Sequence, residues 1–333
     1  MLLPLLTPER ARHLTASFAR THVLVIGDAM LDKFIVGRVS RISPEAPVPI
    51  VAFSHEMHRI GGAANVAHNI VALGSQATLV AATGLDAAAA TLAAACREAG
   101  IAPSFVGDAG RQTTTKVRIV TERNQQVARV DYETDIELSA DAEQRLIAEV
   151  QKHAGLASAI VISDYCKGVV TKRVVEAAVT AAEARQIPVL VDPKIPHLAY
   201  YAGTTLVTPN HHEAETATNL RLRSHDDART AGRALRQQAS CTAALITRGD
   251  QGMWLSCDDV EGHLPATARE VADVTGAGDT VIAAMALSLA VGATFAEGAR
   301  LANEAAGISV GRFGPTTVSV AELLRAVDAT ASV

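Results

Sequence analysis

The 333-residue sequence predicts an α/β fold: a doubly wound, mainly parallel sheet with helices on both faces, plus a small antiparallel β lid. Three observations carry that expectation. Short continuous runs of Val, Ile and Leu suit strands buried on both faces. Ala-rich helical segments with readable ends separate those runs. Two segments, about 33–60 and 113–132, break the alternation and read as lid strands on a single domain spanning 1–333.

The elements follow in order. Thr7 before Pro8 starts a helix with Ala11, Leu14 and Phe18 on one face. HVLVIG (22–27) is the first buried strand. Residues 33–60 carry Pro44, Pro47 and Pro49 among Val, Ile and Phe, which suits edge strands. Gly61-Gly62-Ala-Ala-Asn65 opens a helix, and ATLVAAT (77–83) is the next strand. Asp86 caps an Ala-rich helix that Gly100 closes. TTTKVRIVTERNQQVARVDY (113–132) alternates polar and apolar residues, with a turn expected at Asn124. Ser139 and Thr171 cap two further helices. SAIVIS (158–163), IPVLVD (187–192), TLVTP (205–209) and AALITR (243–248) complete the parallel set, and 280–290 is an apolar helix. The projecting strands fit a lid over the carboxyl ends of the sheet, where open α/β sheets bind ligands. A surface hairpin pair or a dimer contact is the alternative.

Charge and composition narrow the function. Lys and Arg number 30 against 35 Asp and Glu, a net charge of −5, which argues against a nucleic-acid-coating or membrane-surface protein. Anionic substrates then require a local basic pocket. Val281–Ala296 is shorter than the about 20 residues of a membrane span and reads as a core helix. MLLPLLTPERAR lacks the basic region and apolar run of a signal peptide, so a cytoplasmic protein is expected. The four cysteines form no CxxC pair and read as free thiols. There is no GxxxxGK[ST], no GxGxxG after a strand, and no HRD or DFG.

Asp273-Val-Thr-Gly-Ala-Gly-Asp279 runs straight into the apolar helix. Gly276 and Gly278 let backbone approach a ligand, and the free N–H groups of a helix start receive anionic oxygen. Asp279, in that first turn, is placed to accept a proton from an attacking hydroxyl, as phosphoryl transfer requires. The plainer alternative is that it complements the helix dipole. Gly61, Gly62 and Asn65 can present amides to sugar hydroxyls, or simply make a turn. Lys116 and Arg118 are two apart on a strand and share a face, a pair suited to a substrate phosphate. Lys167 and Lys194 follow strand ends toward the same pocket; for all four cations, ordinary surface pairing is the alternative.

Together these segments resemble the signatures of the ribokinase-like (phosphofructokinase B) carbohydrate kinase family, from Val23 to about Val318 in the family's order. The resemblance implies ATP-dependent transfer to a sugar hydroxyl. Asp279 is then the general base, and the Gly276, Ala277 and Gly278 amides the anion hole. Asp32 in GDAMLD, with Gly61, Gly62 and Asn65, would bind the sugar. Asn210 and Glu213 match the NxxE element, Glu213 acting on Mg²⁺ through water. Thr247, Gly249 and Gly252 in TRGDQG resemble the nucleotide-phosphate loop. Asp273 and Thr275 fit the anion-hole loop, and Asn303 the adenine side.

SRISPEAPVP (40–49), residues 113–131, SDYCKG (163–168) and VDPK (191–194) resemble the branch that phosphorylates C1 of D-glycero-β-D-manno-heptose 7-phosphate for ADP-heptose and lipopolysaccharide synthesis. In that branch Asp164, Lys167 and Lys194 fall on the substrate side with Lys116 and Arg118. Cys166 stands where glycine is expected. No HxGH nucleotidyltransferase motif occurs, so the free-standing kinase is expected, with a separate adenylyltransferase as pathway partner and a homodimer formed through the lid. A dependence on a monovalent cation stays open. The alternatives are a kinase for another sugar, nucleoside or sugar phosphate, and a non-catalytic sugar-phosphate sensor.

Overall fold

The computed structural model describes residues 2–123, 125–267 and 270–331. Its strands are β1 (His22–Gly27), β2 (Ala29–Ile42), β3 (Pro49–Gly62), β4 (Gln76–Thr83), β5 (Ala102–Gly107), β6 (Thr115–Thr121), β7 (Gln126–Tyr132), β8 (Ala159–Ser163), β9 (Val189–Asp192), β10 (Leu206–Val207), β11 (Ala243–Thr247), β12 (Met253–Ser256) and β13 (Glu261–Leu264). Its helices are α1 (Pro8–Ala16), α2 (Ala63–Ala72), α3 (Ala87–Glu98), α4 (Ala140–Ala154), α5 (Lys172–Glu183), α6 (His211–Thr218), α7 (His225–Ala239), α8 (Ala277–Ala290), α9 (Phe295–Val310) and α10 (Val320–Ala331).

All six apolar runs become strands of one sheet, in the order β13-β12-β11-β10-β9-β8-β1-β4-β5. The pairings from β11 through β5 are parallel, while β12 and β13 add an antiparallel edge. Alternation along β1 feeds two cores: Val23 and Val25 join residues of α1, α2, α8 and α9 on one face, and Leu24 and Ile26 join residues of α4, α5 and α7 on the other. That division is the doubly wound arrangement the sequence predicts. Strand order reverses between β8 and β1, so the ligand crevice belongs at their carboxyl ends.

The helix ends follow the expected chemistry. Thr7, Asp86, Ser139 and Thr171 each accept a hydrogen bond from a first-turn amide. Helix α8 is apolar on all sides and buried from Asp279 to Ser288, as a core helix must be. No helix among the described residues is long and apolar enough to cross a membrane.

The second sheet, ordered β3-β2-β6-β7, forms from the two irregular segments. Each hairpin is antiparallel, and a parallel β2–β6 pairing joins the two. Its first hairpin is longer than 33–60, running from Ala29 to Gly62. Pro44 and Pro47 fall in the connecting turn and Pro49 opens β3, positions where a missing N–H is tolerated. The turn expected at Asn124 lies outside the described residues.

Leu79 of β4 is fully buried, whereas Leu156 is 70% exposed. Leu79→Ala is expected to cost about 2–5 kcal/mol, and Leu156→Ala no more than about 0.5 kcal/mol. Urea unfolding midpoints at unchanged slope measure the contrast.

Candidate active site

The crevice is built around the start of α8. Gly276 caps the helix with φ +80°, and a Cβ there would meet the Asn65 amide nitrogen at 2.9 Å, so only glycine fits. The Ala277 amide donates to the Val274 carbonyl (3.2 Å) and is therefore occupied. No acceptor among the described residues meets the amides of Gly276, Gly278 or Asp279, which leaves these three as the anion-binding set. Asp273 shapes the loop: its carboxylate accepts from the Thr275 amide (2.9 Å) and hydroxyl (2.7 Å) and from the Gly314 amide (3.0 Å). The Thr275 hydroxyl holds its carboxyl below the usual range, so Asp273 is a fixed anion.

Asp279 is 6% exposed and receives two side-chain hydrogen bonds: Asn65 Nδ2 donates to Oδ2 (2.5 Å) and the Tyr165 hydroxyl to Oδ1 (3.0 Å). Burial dominates those bonds and pushes its carboxyl up to about 6. Burial thus makes Asp279 a stronger base than an exposed aspartate. Burial, then the Asp279 charge, pushes the Tyr165 phenol well above its usual value, so the phenol stays a donor. Lys194 pairs with Glu213 and lies 5.6 Å from the Tyr165 ring centroid. Burial opposes its charge, but the Glu213 hydrogen bond together with the charges of Glu213, Asp192 and Asp164 outweighs that and raises its pKa.

Glu213 and Asn210 form a capping box on α6: Asn210 accepts from the Glu213 amide (3.0 Å) and Glu213 from the Asn210 amide (2.9 Å). Half-buried Asp192 stands nearby, pushed well above the carboxylate range by burial and by the charge of Asp279. Thr247 ends β11 with its amide on the Pro209 carbonyl (3.0 Å), which sets it beside Asn210. Gly249 and Gly252 flank the turn that follows. The Asn303 side chain donates to the Pro265 carbonyl (2.9 Å), holding that loop in place.

One face of the second sheet carries Asp32, Arg59, Lys116, Arg118, Arg129 and Asp131, as its register requires. Gly61 follows on β3, with Asp32 beside it. Arg118 pairs with Asp32, and Arg129 with Asp131 at 2.5 Å. Arg59 and Arg118 each lie 5.4 Å from the Phe34 ring centroid. Among the described residues Arg59 and Lys116 make no ion pair. The basic surface that an anionic substrate requires exists, and Arg59 and Arg129 enlarge it beyond the pair read from sequence. Their β3 and β7 positions become adjacent to β2 and β6 only through long-range register.

Asp164 is fully buried, accepting from the Cys166 amide (2.7 Å) and the Tyr201 hydroxyl (2.7 Å) and contacting His197 (2.6 Å). Lys167 pairs with Glu133 (3.0 Å) and Asp135 (2.7 Å). Asp28 is a buried residue the sequence reading missed. It accepts from the amides of Tyr165 (2.8 Å), Lys167 (3.1 Å) and Val169 (3.1 Å). Cys166 holds φ +53°, the left-handed backbone for which glycine is expected.

A model of the pfkB family carbohydrate kinases matches residues 20–322. The chain is 44% identical over 318 residues to a bifunctional protein HldE of Geobacter sulfurreducens, covering 95% of this chain and 65% of that one. It therefore spans less than two thirds of that relative's length. It is 43% identical over 305 residues to a D-beta-D-heptose 7-phosphate kinase of Bordetella bronchiseptica, covering 92% of this chain and 96% of the other. Phosphofructokinase-2 from Escherichia coli in complex with fructose-6-phosphate aligns with a TM-score of 0.75 at 21% identity, covering 93% and 99%. Arabidopsis thaliana ribokinase complexed with ribose and ATP aligns at 0.70 and 19%, covering 92% and 98%. These two likenesses concern the fold.

A reaction that uses Asp279 as proton acceptor has a kcat/KM that falls as pH drops through about 6, because the protonated carboxyl cannot act. Asn65→Ala removes a hydrogen bond that favours the carboxylate, so the acid limb is expected to move to higher pH. A pH–rate profile of both proteins checks the sign. An unmoved limb would assign the titration to another group.

Proposed function

Because the chain belongs to the pfkB family of carbohydrate kinases, we propose that it transfers the ATP γ-phosphoryl group to the C1 hydroxyl of D-glycero-β-D-manno-heptose 7-phosphate, giving the 1,7-bisphosphate and ADP. The carrying observation is the pairing of a buried basic carboxylate, Asp279, with open helix-start amides beside it. The heptose 7-phosphate assignment draws support from the named kinase that matches along nearly its full length, and from the cationic lid face, which suits a second phosphate on the substrate.

Asp279 takes the C1 hydroxyl proton as the oxygen bonds to the γ-phosphorus; the bond to the β-phosphate oxygen breaks, and ADP leaves. The amides of Gly276, Gly278 and Asp279 hold the equatorial oxygens, with positioning and charge supplying most of the effect. Asn65 and Tyr165 aim the carboxylate. Asp32, Gly61 and Gly62 orient the sugar, while Lys116, Arg118 and Arg59 receive its 7-phosphate. Lys194 sits nearer the reacting centre than a distal phosphate and fits the transferring group. Thr247, Gly249, Gly252, Asp273, Thr275 and Asn303 line the nucleotide side, near Asn210.

The residues present fit Mg²⁺. Glu213 and Asp192 are hard oxygen donors whose charges, with those of Asp279 and Asp164, act on one another around Lys194, a negative cluster that a divalent ion relieves. When bound with ATP, Mg²⁺ neutralises phosphate charge, and Glu213 and Asn210 would reach it through water. The closed lid excludes water that would otherwise hydrolyse ATP.

The reading extends to a cytoplasmic enzyme whose bisphosphate product goes to a separate adenylyltransferase. It also includes a homodimer through the lid, since β3 and β7 are open edges, with Phe53 exposed on the first and Tyr132 on the second. Sedimentation velocity is expected to give twice the monomer mass, and a monomer would remove the dimer.

With heptose 7-phosphate and ATP the protein is expected to release ADP and no pyrophosphate. Asp279→Asn lowers kcat about 10²–10⁴-fold. Lys116→Ala raises KM for the sugar phosphate about 10- to 150-fold, with KM for ATP nearly unchanged. Coupled ADP assays across sugars, sugar phosphates and nucleosides test all three. Turnover with another substrate only would replace the sugar assignment, near-normal turnover in Asp279→Asn would remove the general-base role, and no turnover with any candidate would favour a sensor.

A further inference from the structure

Behind the reacting centre, three donors of different chemistry converge. Oδ2 of Asp164, Sγ of Cys166 and Nδ1 of His197 lie within 4.8 Å of one another. Asp164 and Cys166 come from the segment after β8, and His197 from the short 3-10 helix Ile195–Tyr201. The His197 nitrogen is 2.6 Å from the Asp164 oxygen and 4.0 Å from the Cys166 sulfur. Tetrahedral ligands at bond lengths of about 2.0–2.3 Å sit roughly 3.3–3.7 Å apart. The observed separations fall on either side of that range, so shifts below about 1 Å complete the geometry.

The surroundings support the three donors as ligating groups. The Asp164 carboxylate is already oriented by the Tyr201 hydroxyl and the Cys166 amide, and outer hydrogen bonds of this kind hold metal-bound carboxylates. The His197 ring stacks on Tyr200, with centroids 4.8 Å apart and planes 9° apart, which restricts its rotation. Cys166 and His197 are half-buried, so an ion has a route in, while Asp164 is fully buried. Thiol, imidazole and carboxylate together select a borderline-soft divalent cation over Mg²⁺, whose preference is for oxygen alone.

We propose that Asp164, Cys166 and His197 form a binding site for a Zn²⁺-class cation, with water as fourth ligand, separate from the Mg²⁺ donors at Asn210 and Glu213. On binding, the thiol proton and the proton shared by His197 and Asp164 pass to solvent. The site lies one residue to either side of Tyr165, whose hydroxyl reaches Asp279.

The test uses the full chain freed of metal by chelator and titrated with Co²⁺, a spectroscopic stand-in, followed by Zn²⁺. The expected result is one equivalent of Co²⁺ with a thiolate-to-cobalt absorption band, displaced by Zn²⁺ and unaffected by excess Mg²⁺. Cys166→Gly, which suits the left-handed backbone and keeps the fold, should abolish that band and weaken Zn²⁺ binding at least about tenfold. His197→Gln should weaken binding similarly while retaining a thiolate band at high Co²⁺. No thiolate band in the unaltered protein, or Zn²⁺ affinity untouched by either substitution, would overturn the site.

Discussion

The buried carboxylate of Asp28 is the constraint on which the site depends. It follows β1 directly and collects three amides of the segment after β8, so it ties together the two strands between which the sheet reverses order. The same residue's carbonyl accepts from the Ala63 amide (3.0 Å) at the start of α2. A Cβ on Gly62 would lie 2.3 Å from that carbonyl, and Gly62 has φ +59°, so the junction admits only glycine. Through these bonds Asp28 sets where Tyr165 and Asn65 stand, and those two donors hold Asp279. Burial and the neighbouring Asp164 push the Asp28 carboxyl up to about 6. Three charge-favouring amides thus only partly offset the desolvation of an anion placed in the core.

That compromise recurs across the crevice. Asp28, Asp192 and Asp279 are all raised by burial, and the Lys194 ammonium opposes that rise at Asp192 and Asp279. A protein interior rarely concentrates carboxylates without using them. Here burial makes Asp279 a better proton acceptor than an exposed aspartate. The grouped carboxylates also favour cations near them. The second sheet instead carries Arg59, Lys116, Arg118 and Arg129 on one face, so the two surfaces differ in charge.

What the sequence revealed was whatever local chemistry encodes. Apolar runs became strands because burial on both faces leaves no polar alternation to misread, and Thr7, Asp86, Ser139 and Thr171 cap helices because their oxygens satisfy the first amides. The short edge strands β12 and β13 and the helix α7 escaped notice; they lack a long apolar run or a Gly-rich boundary. Among site residues, Asp279 and Lys116 were readable from position in an element. Arg59 was not, because only the Asp32–Arg59 register places it on the cationic face. The partners of Asp164 and Lys167 were hidden for a related reason: a polar residue after a strand can turn many ways, and His197, Tyr201, Glu133 and Asp135 lie far from them in sequence.

The lid is joined to the core at the places that matter for chemistry. β2 leaves directly after Asp28, and β3 ends at Gly61 and Gly62, where α2 begins. Asp32 and Gly61 are therefore within a few residues of both hinges, while Lys116 and Arg118 reach Asp32 only across the β2–β6 pairing. Arg59 and Lys116 stand in register with Asp32, so any movement of the sheet carries the three together. With Arg118 paired to Asp32, capture requires that guanidinium to share its donors between a carboxylate and a phosphate, whereas Lys116 and Arg59 carry no such prior contact among the described residues. On the proposed reading, Lys116 and Arg59 can meet an arriving phosphate without breaking an ion pair, and Arg118 would link that event to Asp32.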